Sequence, residues 1–458
     1  MHINFGPRRE ELRGAARADP DEPTEGRRSK SGYPDLTDNS EKPRSSWRRT
    51  LGLGIVAGAA DDDCSAIGTY ASAGAQFGLT LLWMAPVTFP MMFSVVYLSS
   101  KLGQVTGKGL FQVVRERYPK WLLWPMLIGV LIGNTIEAAA DTAGMAACLN
   151  IFVPIPPFLT AIAIAVIILS FQMFGSYDFI RNVFRWLALS LFAYAGSAIL
   201  AKPDPTEILR GTFLPHIELT KDSLSILVAI IGTTLSAYLY TWQSNVEVEE
   251  KIAAGKTRTA ERRGTSDSEL VRSQRDIVVG MAFSNIIMYF IILSTGATLH
   301  QVGQTNIENA AQAAEALRPL AGSGATVLFA MGVIAVGFLA VPVMTTGAAY
   351  DLAQAIGWKS SLHASPREAK GFYALIAGFT AVAVVLNSLG FNPMRALVYA
   401  GIVQGFSTPP LLLFMVLLTN DRELMGDKTN GFWLNLLSWI TVAAIFAASI
   451  GLGLSWLL

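Results

Sequence analysis

The stretch "GLGIVAGAADDDCSAIGTYASAGAQFG" (52–78) sets Asp61, Asp62 and Asp63 side by side in a run of otherwise small and apolar residues. The whole chain has a mean hydropathy of +0.42. Of its 458 residues 52% are hydrophobic and 15% charged, a balance too apolar for a soluble protein of this length, which makes lipid the expected solvent for most of it. A carboxylate in the middle of a membrane helix costs ~3 kcal/mol, so three of them facing lipid would cost ~9 kcal/mol, about what the apolar residues of that span can offset. The three acids are therefore expected to face protein or water. Gly52, Gly54, Gly58 and Gly68 weaken a continuous helix here, and Asp and Ser compete for its backbone hydrogen bonds. The stretch reads as a half-helix over 51–60, an unwound break at 61–66 and a second half-helix starting near Ser65.

A window of about 20 apolar residues per crossing gives spans near 51–72, 79–100, 121–148, 157–174, 179–200, 223–247, 277–299, 324–350, 371–388, 394–418 and 432–456, eleven in all. Residues 1–50 carry eleven Lys/Arg and nine Asp/Glu with no apolar run, and read as a disordered cytoplasmic tail ending in the interfacial "RSSWRR" (44–49). Alternating the loops from that side places 30 of the 35 Lys/Arg inside and 5 outside, as the positive-inside rule requires. The net charge of +1 gives no basic excess for nucleic acid. Cys64 and Cys148 both lie in apolar stretches and read as buried thiols. None of the four histidines falls in a span, which excludes a histidine cage or relay inside the membrane. The charged loop 248–276 reads as a solvated partial helix.

A break at membrane depth is tolerated only where the backbone is buried or lines a cavity, and there free carbonyls and carboxylates suit a cation. The alternative is a water-exposed turn at 61–63 that simply ends the first span. An inverted repeat requires a second interruption five spans later, and "AIIGTTLSAYLYTWQ" (229–243) supplies one with Gly232, Thr233, Thr234 and Ser236. In "NTIEAAADTAG" (134–144), Glu137 and Asp141 stand four residues apart on one helix face. They suit either a proton route and an outer layer of support for the ligands, or structural hydrogen bonds to neighbouring helices.

Several segments from residue 51 onward resemble the Nramp divalent-metal transporters, and more closely their divergent branch associated with magnesium and manganese. These are "AGAQFG" (73–78), "LGQVTGKGL" (102–110), "NTIEAAADTAGMAA" (134–147), "GMAFSNIIMYFIILSTGATLH" (280–300) and "NPMRALVYAGIVQG" (392–405), in that order. The resemblance implies that the family's Asp-Pro-Gly-Asn falls on Asp63, Cys64, Ser65 and Ala66, so that Asp63 keeps a metal-ligand position while the amide ligand is lost. The family's Met-Pro-His falls on Ser236, Ala237 and Tyr238, and Thr233 stands where the family offers a carbonyl to the ion. Losing the thioether and keeping oxygen suits a hard ion, Mg²⁺ or Mn²⁺, over softer transition metals.

The expected fold is accordingly an all-α integral membrane protein with a LeuT-like 5+5 inverted repeat: repeat one 51–200, repeat two 223–418, and an added helix at 432–456, eleven transmembrane helices in the domain 51–458. The expected function is alternating-access import of a divalent cation, Mn²⁺ or Mg²⁺ before Fe²⁺, with proton coupling open. Asp63, Ser236, Thr233 and Asp62 are the metal candidates; Asp141, Glu137, Asp61 and Tyr238 are the candidates for the proton pathway or for supporting the ligands. No cofactor is expected, since the divalent metal is cargo. The expected partners are divalent ions, the lipid bilayer and protons, with no nucleic acid, and the expected location is a bacterial inner (plasma) membrane with the N-terminus cytoplasmic. An organic-solute symporter of the same fold, a membrane-embedded metal-dependent enzyme and a transporter-derived sensor remain as rivals.

Overall fold

The computed structural model describes residues 58, 60–174, 189–307, 310–390 and 392–457. The tail at 1–50, most of the expected half-helix 51–60 and the first part of the expected span 179–200 lie outside them. Every regular element among the described residues is helical. The longer helices are α1 (Cys64–Phe77), α2 (Met84–Thr106), α3 (Leu110–Arg117), α4 (Lys120–Asn150), α5 (Pro157–Phe174), α6 (Ala193–Ala201), α7 (Pro205–Phe213), α8 (Lys221–Thr234), α9 (Ala237–Ala253), α10 (Asp267–Thr298), α11 (Ala325–Ile356), α12 (Lys370–Asn387), α13 (Pro393–Asn420) and α14 (Phe432–Leu457).

The distribution of side chains is that of a protein dissolved in lipid. Trp121, Ile132, Val166, Ile440 and Ile450 stand exposed on the outside of the bundle, whereas Asp61, Asp62, Asp63, Glu137, Asp141 and Asp351 are fully buried. A soluble protein buries the first group and exposes the second. Among the described residues seven stretches are long and apolar enough to cross a membrane: 120–150, 221–253, 267–302, 312–356, 370–387, 395–420 and 432–454. Pro157–Met173 forms a shorter apolar helix. The other expected spans are met by the 14-residue α1, by the 23-residue but more polar α2, and by α6. The tally of eleven is therefore not reproduced by length and hydropathy alone: among the described residues α1, α5 and α6 fall short in length and α2 in hydropathy.

Local chemistry sets the helix ends. Ser266 and Glu269 form a reciprocal cap at the start of α10, with Ser266 N–H donating to Glu269 Oε2 at 2.8 Å and Glu269 N–H to Ser266 Oγ at 3.2 Å. Asn392 caps α13 ahead of Pro393 by accepting from Arg395 N at 3.2 Å. α11 stops at Gly357, whose φ of 83° lies in the left-handed region. α10 begins ten residues before the expected span at 277, so part of the charged loop 248–276 is helix. The remainder is tied down: Arg262 donates to Gly107 O at 3.3 Å and Thr257 O at 2.9 Å, and Lys251 Nζ donates to Gln104 O, to Arg262 O at 2.6 Å and to Gly264 O at 2.8 Å. The polar loop folds because buried backbone carbonyls recruit its cations.

The core is a close fit of α4 against α11 and α13, of α8 against α13, and of α1 and α2 against α10. Small residues permit these approaches. A Cβ at Gly74 would lie 2.0 Å from Thr295 Oγ1 and 2.5 Å from Ile292 O, which leaves no room for a side chain between α1 and α10. Gly74→Val is expected to destabilise the fold by about 1–3 kcal/mol or more, read as a lowered thermal-melting midpoint of the detergent-solubilised protein.

Candidate metal-ion site

Two helices are interrupted at the same place in the bundle. The turn carrying Gly58 and Ala60 ends with a bond from Asp62 N–H to Gly58 O at 3.4 Å, and α1 restarts at Cys64. Asp63 is extended there (φ −64°, ψ −177°), and its Oδ1 accepts from Ala66 N–H at 2.7 Å. The break is narrower than the expected 61–66 because Asp63 caps the new helix with its own carboxylate. The second break separates α8 from α9 at Leu235 (φ −117°, ψ 33°) and Ser236 (φ −55°, ψ 137°).

Glu137 on α4 joins the two breaks. Its Oε1 accepts from Ser65 Oγ at 3.2 Å and from Ser236 Oγ at 3.1 Å, and its Oε2 accepts from Gln404 Nε2 of α13 at 2.7 Å. One turn along α4, Asp141 Oδ1 accepts Ser65 N–H at 3.0 Å. Both α4 carboxylates thus sit at the positive N-terminal end of α1. Tyr238 OH lies 3.1 Å from Asp63 Oδ2 and 2.8 Å from Ala60 O, a second link between the breaks. Thr234 Oγ1 and Tyr70 OH make a third, at 3.1 Å.

Acceptors outnumber donors here. Ser236 Oγ has one hydrogen and three acceptors in range, Glu137 Oε1, Gly232 O at 3.0 Å and Thr233 O at 2.9 Å. Ser284 Oγ of α10 likewise faces two acids, Asp61 Oδ2 at 2.5 Å and Asp62 Oδ1 at 3.2 Å. The buried atoms Asp61 Oδ1, Asp62 Oδ2, Asp141 Oδ2 and Thr233 Oγ1 have no hydrogen-bond partner. An oxygen-rich, hydrogen-poor interior is what a cation requires and what costs most without one. Among the described residues no three His, Cys, Asp or Glu side chains are grouped as a metal cage. The oxygens at the breaks come from carboxylates, hydroxyls and carbonyls together, a mixture suited to a hard ion.

The structure divides the sequence candidates into two groups. Asp63, Tyr238, Thr233, Ser236, Glu137 and Asp141 converge where the breaks meet, whereas Asp61 and Asp62 turn to Ser284. Cys64 points away, its thiol donating to Val333 O on α11 at 3.3 Å, and both cysteines are free and buried. His300 lies beyond the end of α10, with Nδ1 2.9 Å from Ala75 O. Sequence reasoning assigned no role to Ser65, Gln404 or Ser284. Gln404 was visible as a lone amide in the apolar "ALVYAGIVQG", and Ser284 as a lone hydroxyl in "GMAFSN".

The family profile described as "Natural resistance-associated macrophage protein-like" (Nramp) matches residues 54–455. The chain belongs to the Nramp family. It is 27% identical over 407 residues to the divalent metal cation transporter MntH of Bacillus subtilis, covering 87% of this chain and 90% of that protein. It is 26% identical over 403 residues to the protein of the same name from Deinococcus radiodurans, covering 87% of each. Its fold is similar to the crystal structure of the Eremococcus coleocola manganese transporter in complex with an aromatic bis-isothiourea compound, with a TM-score of 0.66, 18% identity and coverage of 90% and 89%. It is also similar to Mhp1, a nucleobase-cation-symport-1 family transporter in a closed conformation, with a TM-score of 0.55 and 13% identity over 89% of this chain and 90% of that one. The architecture is LeuT-like, and the protein is a transporter-family membrane protein rather than an enzyme.

Glu137 holds donors from three helices, so its removal is expected to cost more than the loss of an acid alone. Glu137→Ala removes three buried hydrogen bonds and strands the Ser65 hydroxyl, while Ser236 Oγ and Gln404 Nε2 keep other acceptors, and is expected to destabilise by about 3 kcal/mol. Glu137→Gln, which keeps one acceptor, is expected to cost less than half of that; thermal melting of the purified variants checks the order.

Proposed function

We propose that this protein imports a divalent cation, Mn²⁺ or Mg²⁺ in preference to Fe²⁺, by alternating access at the crossing of the two broken helices. The observation that carries the reading is the surplus of buried oxygens there over the hydrogens available to them. Asp63 supplies the principal carboxylate, and Ser236 Oγ and the Thr233 carbonyl supply neutral oxygens, while Asp62, turned to Ser284, adds negative charge beside the set. With no sulfur in the set, the site loses preference for soft ions and admits a partly hydrated Mg²⁺ or Mn²⁺.

Asp141 and Glu137 shape the field around the ion, and with Asp61 and Tyr238 they form the route by which protons leave when it binds, because adjacent acids cannot all be ionised cheaply without a cation. The lysines and arginines support the choice of a cation over an organic carboxylate. Among the described residues the two buried cations are Lys101 and Arg262, which bond backbone carbonyls at the loop end of the bundle. The repeats 51–200 and 223–418 would rock about this crossing, with the N-terminus and the loops 101–109, 254–266 and 357–370 on the cytoplasmic side of a bacterial plasma membrane.

Proteoliposomes holding an internal pH dye and offered Mg²⁺, Mn²⁺ or Ca²⁺ test the proposal. Mn²⁺ or Mg²⁺ is expected to enter, Asp63→Ala is expected to lose uptake by about a hundredfold or more, and Ser236→Met is expected to shift preference toward softer ions such as Cd²⁺. Failure of the intact protein to move any divalent ion would overturn the assignment.

A further inference from the structure

Asp351 on α11 takes no part in the crossing described above. It is fully buried, and neither oxygen of its carboxylate makes a hydrogen bond of good geometry. The Thr241 hydroxyl of α9 lies beside it. A second observation concerns the space beside it. Gly347, one turn back on the same face of α11, is also buried, yet a Cβ built on it would meet nothing within 4 Å. Every other described glycine with such room around it is exposed or half-exposed at the surface. An enclosed gap and an unpartnered carboxylate therefore lie one above the other. An apolar void stays dry, but a void floored by an acid invites water or a cation.

The surroundings of this pair are polar in a direction that matters. Along α9, residues 238, 241, 245 and 249 recur at helical spacing on one face. Tyr238 touches Asp63; Thr241 Oγ1 donates to Tyr238 O at 3.4 Å; Asn245 Nδ2 donates to Thr241 O at 2.9 Å; and Gln354 Nε2 of α11 reaches Asn245 Oδ1 at 2.6 Å. Glu249 closes the row, accepting from Tyr350 OH at 2.7 Å and Ser361 Oγ at 3.0 Å. A pocket lined by Gln112, Arg115, Asn245, Glu249, Tyr350 and Gln354 lies at that end. Thr241 stands four residues beyond the start of α9, about 6 Å along the axis from the break. Asp351 therefore falls between the crossing and the pocket.

We propose that Asp351 and the gap beside Gly347 form a transit site for the divalent cation, through which it passes between the helix breaks and the inner pocket along the seam of α9 and α11. The inference rests on the cation reading of the crossing and adds a second stop to it. A carboxylate with a neighbouring hydroxyl, and room for water, holds a hydrated ion loosely enough to release it, whereas the crowded oxygens at Asp63 hold it to be selected.

Mn²⁺ is the probe. Initial uptake into proteoliposomes, Mn²⁺ binding by calorimetry in detergent and thermal melting are compared for the wild type, Asp63→Ala, Asp351→Asn, Asp351→Glu and Gly347→Val. Asp351→Asn and Gly347→Val are expected to slow uptake about tenfold or more, with Mn²⁺ affinity at the Asp63 site changed less than about threefold. Asp351→Glu is expected to recover most of the rate. Gly347→Val is expected to melt at or above the wild-type temperature, because it fills a void, so that its slow transport cannot be charged to misfolding. Wild-type uptake by both Asp351→Asn and Gly347→Val overturns the transit site while leaving the crossing intact. Uptake that persists in Asp63→Ala, or none in the wild type, overturns the cation reading itself and is recognised separately.

Discussion

Three donors on three helices converge on one carboxylate: Ser65 at the head of α1, Ser236 at the break before α9, and Gln404 on α13 all bond Glu137. Lipid cannot solvate an acid at this depth, so the protein has to supply the whole of its solvation. That requirement brings both interruptions to α4 and fixes their separation. It also explains why the breaks are short. Each is only as long as the chain needs to turn one side chain inward: Asp63, which caps α1, in the first, and Ser236, whose hydroxyl bonds the last carbonyls of α8, in the second.

From this junction the rest of the bundle follows. α4 must be central to reach both breaks, and it is, packed on α11 and α13. The helices that approach it most closely are rich in small residues, and side chains on the outside of the bundle, such as Val166 and Ile440, are left to lipid. Polar interior and apolar exterior are thus two aspects of one arrangement. The Nramp family provides the general plan, while the oxygen chemistry of this chain belongs to its own residues at 61–63 and 233–238.

Much of this was legible in the sequence. Three consecutive aspartates in an apolar run left few alternatives, since exposure to lipid is too costly and a continuous helix too poor, and the structure places the interruption at Asp62 and Asp63, the last two of the row. The second break was legible through its position five spans on more than through its residues, because Gly and Thr are common in ordinary membrane helices. Glu137 and Asp141 were visible as a pair on one face. Their partners were not, because a lone Ser65, Gln404 or Ser284 carries no periodic signal and acquires meaning only from a helix distant in the chain. Two aspartates next to Asp63 share its sequence context but not its surroundings: a change of one residue along an unwinding backbone rotates the side chain to a different neighbour, and Asp61 and Asp62 meet α10 instead. Asp351 escaped notice for a related reason, lying just past the expected end of its span among residues that read as a loop.

The clamp at the loop end of the bundle bears on how such a molecule can rock. Lys251 grips backbone carbonyls at both the end of α2 and the connection into α10, and Arg262 fastens that connection to Gly107. The loop-side ends of α2, α9 and α10 are thereby held together. A unit fastened so firmly at one end has its pivot elsewhere, and the unwound pair Leu235–Ser236 offers the nearest place for the backbone to flex.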